Sequence, residues 1–103
     1  MNPKRRTGLD ACRRLLEREG FEIVDAVGDS SGTEPDLVAE GVGRRIFVIV
    51  LVGDEVDSDT TRDRIRRALG QSETRVYAPR ILRWRVLSNL ERWGLAGAPV
   101  LTY

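Results

Sequence analysis

The sequence predicts an α/β fold, a single α-β-β-β-α-β-α-β sandwich around a central mixed sheet. Three observations predict it. Apolar residues recur at helical spacing near the start, Ile46 to Val52 form a continuous apolar run rich in β-branched residues, and helical and strand patterns alternate beyond Gly53. With 103 residues, 41% of them hydrophobic and 32% charged, the chain reads as one domain, 1–103, with one core.

Leu9, Cys12, Leu15 and Leu16 give the first helix, about residues 8–19, with Thr7 as its cap and Gly20 as its stop. Phe21-Glu22-Ile23-Val24 alternates and predicts a strand, and Gly28 to Gly32 is a loop by composition. Pro35 to Ala39 and Glu40 predict a second strand, with Pro35 at its first position, where a missing N–H is tolerated. Gly41-Val42-Gly43 turns the chain into Arg44 to Val52, which reads as a strand buried on both faces. These three strands form a meander with the third in the middle of the sheet. Asp57, Ser58 or Asp59 then caps a second helix through Ile65, Ala68 and Leu69 to Gly70. Arg75 to Ala78 is a short strand, Pro79 opens a helix running to Trp93, and Pro99 to Thr102 is a last short strand.

Composition removes whole classes of chemistry. The chain has no His, one Cys (Cys12) and one Lys (Lys4) beside sixteen Arg. Ser-His-Asp and Cys-His catalysis, His-ligated zinc, disulfides and CxxC redox pairs are excluded, and a P-loop or Schiff-base enzyme is disfavoured. Carboxylates, Arg, hydroxyls and backbone amides remain, which is the inventory of a Mg²⁺ site or a binding module. The longest apolar run is too short to span a bilayer, and Met1 to Arg6 is not followed by a signal-peptide apolar stretch. With a lone thiol, these predict a cytoplasmic location and no membrane partner. Charge is segregated: residues 1–20 carry six basic and three acidic groups, 21–60 two and ten, and 61–103 nine and three. Either acidic and basic elements pair across the fold, or the basic ends form a nucleic-acid footprint.

The element order, the Pro35-Asp36 pair opening the second strand, and the buried third strand about a dozen residues later resemble the PD-(D/E)XK, or restriction-endonuclease-like, nuclease superfamily. Gly8 to Leu51 is similar to its small YraN-like or Holliday-junction-resolvase-like branch at Gly8, Leu16-Glu17, Gly20-Phe21, Gly32, Glu34, Asp36 to Ala39 and Phe47-Val48. The resemblance implies a site in which an Asp and a strand acid hold Mg²⁺, a Lys two residues on activates water, and a first-helix Glu completes the set. On this register only Asp36 matches. The helix acid falls at Leu9, beside Asp10, the strand acid at Ile49 and the Lys at Leu51. One carboxylate cannot hold Mg²⁺ for in-line hydrolysis, so the expectation is the fold without the activity and without a metal or other cofactor. A relocated acid is the alternative. Glu40 shares Asp36's strand face but about 13 Å away; Glu34 is near in sequence; Glu17 and Glu19 lie on the first helix, and Asp54, Glu55 and Asp57 follow the third strand.

Two features suggest binding. The second helix carries Arg62, Arg64, Arg66 and Arg67, of which Arg62 and Arg66 are i, i+4 neighbours; they fit phosphate oxygens or pair with acids of residues 54–63. On the third helix, Leu82, Val86, Leu90 and Trp93 face the sheet, while Trp84 lies opposite near Arg80 and Arg83, able to stack on a base, anchor a protein, or be covered by another segment. The apolar surface at Phe47, Ile49 and Leu51 is costly to leave wet, so it is filled by the chain or covered by a second copy in a homodimer. The expected function is a pseudo-nuclease that binds DNA or RNA through Arg62, Arg66, Arg67, Arg80, Arg83 and Trp84, or that serves in assembly. The alternatives are a homodimeric interaction module without nucleic acid and a divergent Mg²⁺ nuclease built on Asp36.

Overall fold

The computed structural model describes residues 3–26 and 35–103. They form α1 (Pro3–Arg18), β1 (Glu22–Ala26), β2 (Leu37–Gly41), β3 (Arg44–Val50), a 3₁₀ turn (Gly53–Asp57), α2 (Asp59–Gln71), β4 (Glu73–Ala78), a second 3₁₀ turn (Arg80–Leu82), α3 (Arg83–Arg92) and β5 (Val100–Thr102). The five strands make one mixed sheet in the order β1-β2-β3-β4-β5. β1, β2 and β3 are an antiparallel meander, and β4 and β5 join parallel, so β3 is central.

Helices lie on both faces. Alternation along β3 divides its side chains: Ile46, Val48 and Val50 pack with Leu9, Cys12 and Leu16 of α1, whereas Ile49 packs with Ile65 of α2 and Val86 and Leu90 of α3. That two-sided burial is why the strand reads as a continuous apolar run. The face of α3 is as the periodicity predicts. Val86 and Leu90 are buried, and Leu82 and Trp93 pack against the same cluster.

Three local features differ from expectation or sharpen it. The first helix starts at Pro3, a full turn before Thr7, and Thr7 is no cap: its hydroxyl donates to the Pro3 carbonyl at 2.9 Å. The extra turn is held by Arg5, which continues the buried stripe Leu9, Cys12, Leu16 backwards by four residues and is only 4% exposed. Apolar periodicity misses it because the anchoring residue is a cation. Gly20 ends the helix as read, with φ +95°, while the Gly20 N–H bonds the Glu17 carbonyl at 3.0 Å and the Phe21 N–H bonds the Leu16 carbonyl at 3.0 Å. Between Gly41 and Arg44, Val42 and Gly43 both have positive φ (50° and 74°), the pattern of a tight two-residue hairpin, and Val42 is a β-branched residue in a conformation that favours Asn or Gly.

Ser58 caps α2, its hydroxyl accepting from the Thr60 and Thr61 N–H groups at 3.1 and 3.4 Å, a contribution of about 1 kcal/mol. The stretch 53–57, which holds the candidate acids Asp54, Glu55 and Asp57, is itself a 3₁₀ turn that buries Val56. Asn89 ties it to α3 by donating to the Val56 carbonyl at 2.8 Å and Asp57 Oδ1 at 2.9 Å. The predicted loop Gly28–Gly32 and Glu34 lie outside the described residues. Among the described residues no helix is long and apolar enough to cross a membrane.

Candidate functional site: a carboxylate held by two arginines

Asp36 stands one residue before β2, alongside the carboxyl end of β3. Its N–H donates to the Val48 carbonyl at 2.9 Å, and its Oδ2 accepts from the Val50 N–H at 2.8 Å, so the side chain extends the β2–β3 ladder by one more bond. The residue is fully buried. A buried, ionised carboxylate needs compensation, and here two guanidinium groups supply it. Arg5 Nη2 of α1 bonds Asp36 Oδ1, and Arg64 Nη2 of α2 lies 3.0 Å from the same oxygen. Both arginines are 4% exposed. One carboxylate thus joins the helix layer on one face of the sheet to that on the other.

A second carboxylate completes the cluster. Arg5 Nη1 donates to Glu55 Oε1 and Oε2 at 3.1 and 3.3 Å and to the Val50 carbonyl at 3.1 Å. Glu55 also accepts from the Val52 N–H at 3.0 Å, which fixes it across the start of the 3₁₀ turn. Arg5 therefore sits between Asp36 and Glu55, and the cation that these two carboxylates share is a side chain. A divalent ion at Asp36 would have to displace two buried guanidinium groups from it. Among the described residues, no three His, Cys, Asp or Glu side chains gather as a ligand set.

Two further groups border the cluster. Tyr103 packs against Gly8 of α1, where an added Cβ would lie 3.0 Å from its ring, and its hydroxyl donates to the Leu51 carbonyl at 2.7 Å. Burial, with smaller contributions from Cys12 and Glu55, pushes its phenol up to about 12. Cys12 is wholly buried, and burial, with the charge of Asp36 second, pushes its thiol from 9.0 up to about 12. Both groups hold their protons more tightly folded than unfolded, so between about pH 9 and pH 12 the unfolded chain binds fewer protons and stability falls as pH rises. The urea midpoint is expected to drop between about pH 8 and about pH 10.5, and Cys12→Ala is expected to flatten that drop. An unchanged slope in the variant would remove Cys12 from the account.

Comparison with protein-family models, curated proteins and solved structures finds no match. The chain's own geometry is what remains.

Ile49 and Leu51, the positions that the resemblance assigns to the strand acid and the lysine, are 0% and 1% exposed and lie in one cluster with Val56, Ile65, Val86 and Leu90. The expectation that a second copy covers this face is thereby corrected. The chain itself fills it, and Phe47 is partly buried against the same cluster. Leu9 is buried in the opposite cluster. Of the relocated acids among the described residues, Glu55 alone reaches the cluster around Asp36, through Arg5. Glu40 pairs with Arg45 at 3.6 Å, Glu19 with Arg75 at 2.9 Å, and Asp57 with Arg85 at 2.9 Å.

The binding candidates are set on α2, the second 3₁₀ turn and α3. On α2, Arg62 is bound to Asp59 and Asp63 at 3.4 and 3.1 Å, and Arg66 lies 3.8 Å from Asp63, while Arg67 is exposed. Much of that face is therefore already charge-compensated. The α3 end differs. Arg80 and Arg83 are exposed with no carboxylate partner among the described residues, and Trp84 is 68% exposed beside Ile81 at 79%.

Sequence reasoning missed Arg5, weighed Glu55 only as a relocated metal ligand, and read Arg64 as a surface cation. A signal was present: in α2 the buried positions are Thr61, Arg64, Ile65 and Ala68, which places Arg64 on the apolar face by helical spacing. An Arg on the buried stripe of two helices, with an Asp at the start of a buried strand, is the pattern of an internal ion cluster.

Proposed function

We propose that the protein is a catalytically inactive module on a restriction-endonuclease-like scaffold, and that it binds single-stranded nucleic acid through the end of α3. The observation that carries the binding is Trp84, an exposed indole preceded in sequence by Arg80 and Arg83, whose guanidinium groups have no carboxylate partner among the described residues. A base stacks on the indole and the arginines meet adjacent phosphates, a combination tolerant of sequence. Arg67 extends the basic surface, and Arg62 and Arg66 contribute less because Asp59 and Asp63 compensate them. Supporting the absence of phosphodiester hydrolysis, Asp36 is engaged by Arg5 and Arg64, and Ile49 and Leu51 are core.

The test is fluorescence anisotropy with a labelled single-stranded oligonucleotide over a range of salt. Binding should weaken steeply with salt, Trp84→Ala should weaken it by about tenfold or more, and Arg80→Ala should reduce the salt slope by roughly one. No binding at low salt would end this reading. A second reading is favoured by the exposed stripe of Ile81 on the second 3₁₀ turn with Trp84 and Leu87 on α3, which a second copy or another protein could cover. Sedimentation separates them: a dimer that Trp84→Ala dissolves, with no oligonucleotide binding, would make this an interaction module.

A further inference from the structure

A cavity of about 440 Å³ opens between the last turn of α1, β5 and the start of α3. Its volume is in the range of about 300–1,000 Å³ typical of small-molecule sites. Leu15 and Leu101 give it an apolar floor, and both are partly exposed. Arg18 and Arg83 reach it from different elements. Neither has a carboxylate partner among the described residues. Arg83 is oriented by an Nε donation to the Val100 carbonyl at 3.4 Å, which leaves its terminal nitrogens for a ligand. The one carboxylate on the lining, Glu19, is taken by Arg75 at 2.9 Å. Arg75 also donates to the Tyr77 hydroxyl at 3.4 Å, so the Tyr77 O–H proton is directed elsewhere, and the Thr102 hydroxyl lies on the same wall. Uncompensated cations over an apolar floor complement one kind of ligand, and the hydroxyls add hydrogen-bonding capacity without adding charge.

We propose that this cavity binds a small amphipathic organic anion, an apolar body bearing one phosphate or carboxylate head, with Arg18 and Arg83 clamping the head and Leu15 and Leu101 receiving the body. Two sources carry this chemistry, a nucleoside monophosphate and an acyl carboxylate. The site does not depend on the nucleic-acid reading. It shares Arg83 with that surface but not Arg80 or Trp84.

The experiment is a titration of the methyl resonances of Leu15 and Leu101 with adenosine monophosphate, with decanoate and with inorganic phosphate. Saturable shifts are expected with at least one of the two organic anions, and which one binds identifies the source. Inorganic phosphate should bind at least tenfold more weakly, because it leaves the apolar floor uncovered. Arg18→Ala and Arg83→Ala should each raise the dissociation constant about tenfold, in line with loss of one charged hydrogen bond. Arg80→Ala should leave the titration unchanged while weakening oligonucleotide binding, so failure of one reading is distinguishable from failure of the other. Both surface variants replace exposed helical residues with a strong helix former and should fold normally. The proposal is overturned if neither organic anion moves these methyls, if inorganic phosphate binds as tightly as they do, or if the shifts persist in the Arg18→Ala, Arg83→Ala double variant.

Discussion

Replacing Asp36 with Ala is expected to destabilise the protein by about 3–5 kcal/mol, the cost of leaving buried charges without their partner. Arg5 and Arg64 are each 4% exposed, and both direct a guanidinium nitrogen at Asp36 Oδ1. Without the carboxylate, Arg5 retains Glu55 and the Val50 carbonyl, but its Nε already has no hydrogen-bond partner, so little can be recovered locally. The Val50 N–H loses its acceptor as well, a further penalty of about 1–3 kcal/mol if it stays buried. Against a typical total of about 5–15 kcal/mol, such losses leave the variant marginal or unfolded.

The sign of this effect separates two roles for Asp36. A carboxylate kept for ion chemistry is a burden on the fold, and its removal tends to stabilise. Asp36 is expected to do the reverse. Asp36→Asn keeps an acceptor for Val50 but drops the charge, and should fall between wild type and Ala. Combining Asp36→Val with Arg5→Met and Arg64→Leu removes all the charges that meet at Asp36 and should recover much of the loss, since apolar replacement of a buried ion cluster is often near neutral. Urea midpoints at fixed slope measure all three. If Asp36→Ala lies within about 1 kcal/mol of wild type, the cluster is not what holds the layers together.

What the sequence made legible follows from which signals are local. The three-stranded meander, the central β3 and the inward face of α3 rest on periodicity and turn residues, which depend on neighbours along the chain. The start of α1 and the identity of the site do not. Arg5 meets Asp36 across 31 positions and Val50 across 45, and no local pattern marks an arginine as interior. Composition misled in the same direction: sixteen arginines among 103 residues invite a surface reading, whereas Arg5 and Arg64 are internal and Arg62 and Arg66 are largely matched by acids on their own helix. The acidic middle of the chain meets basic partners from its ends at Asp36, Glu55 and Asp57, so part of the charge segregation is pairing across the fold. The α3 end, like Arg18 of α1 and Arg67 of α2, is among the parts that pairing within the described residues does not absorb.

Placing the acid and lysine of the resembled nucleases in the strand should fail, and the manner of failure is informative. Ile49→Glu with Leu51→Lys restores the acid and the lysine that the resemblance calls for, yet both positions are closed by α2, α3 and the 3₁₀ turn before α2. A carboxylate and an ammonium placed there leave water without dedicated partners, at several kcal/mol for each ion even after relaxation. The pair cannot readily neutralise itself, because side chains two residues apart on one strand face stand about 6–7 Å from one another. The double variant is expected to be unfolded or loosely packed at 25 °C, with no Mg²⁺-dependent cleavage of single-stranded or duplex DNA. Ile49→Val, which only trims a methylene, should cost about 0.5–1.5 kcal/mol. Were a second copy covering this face, Ile49→Glu would instead act by dissociating a dimer, and its cost would shrink as protein concentration rose. Enclosure by the chain's own helices predicts a loss independent of concentration over a hundredfold range. A folded double variant that cleaves DNA would reverse this account, and it would have to do so with Arg5 and Arg64 still bound to Asp36. Freeing that carboxylate for a metal would require removing the two guanidinium groups that hold the helix layers together, so on this scaffold the requirements of the fold and those of phosphodiester hydrolysis oppose each other.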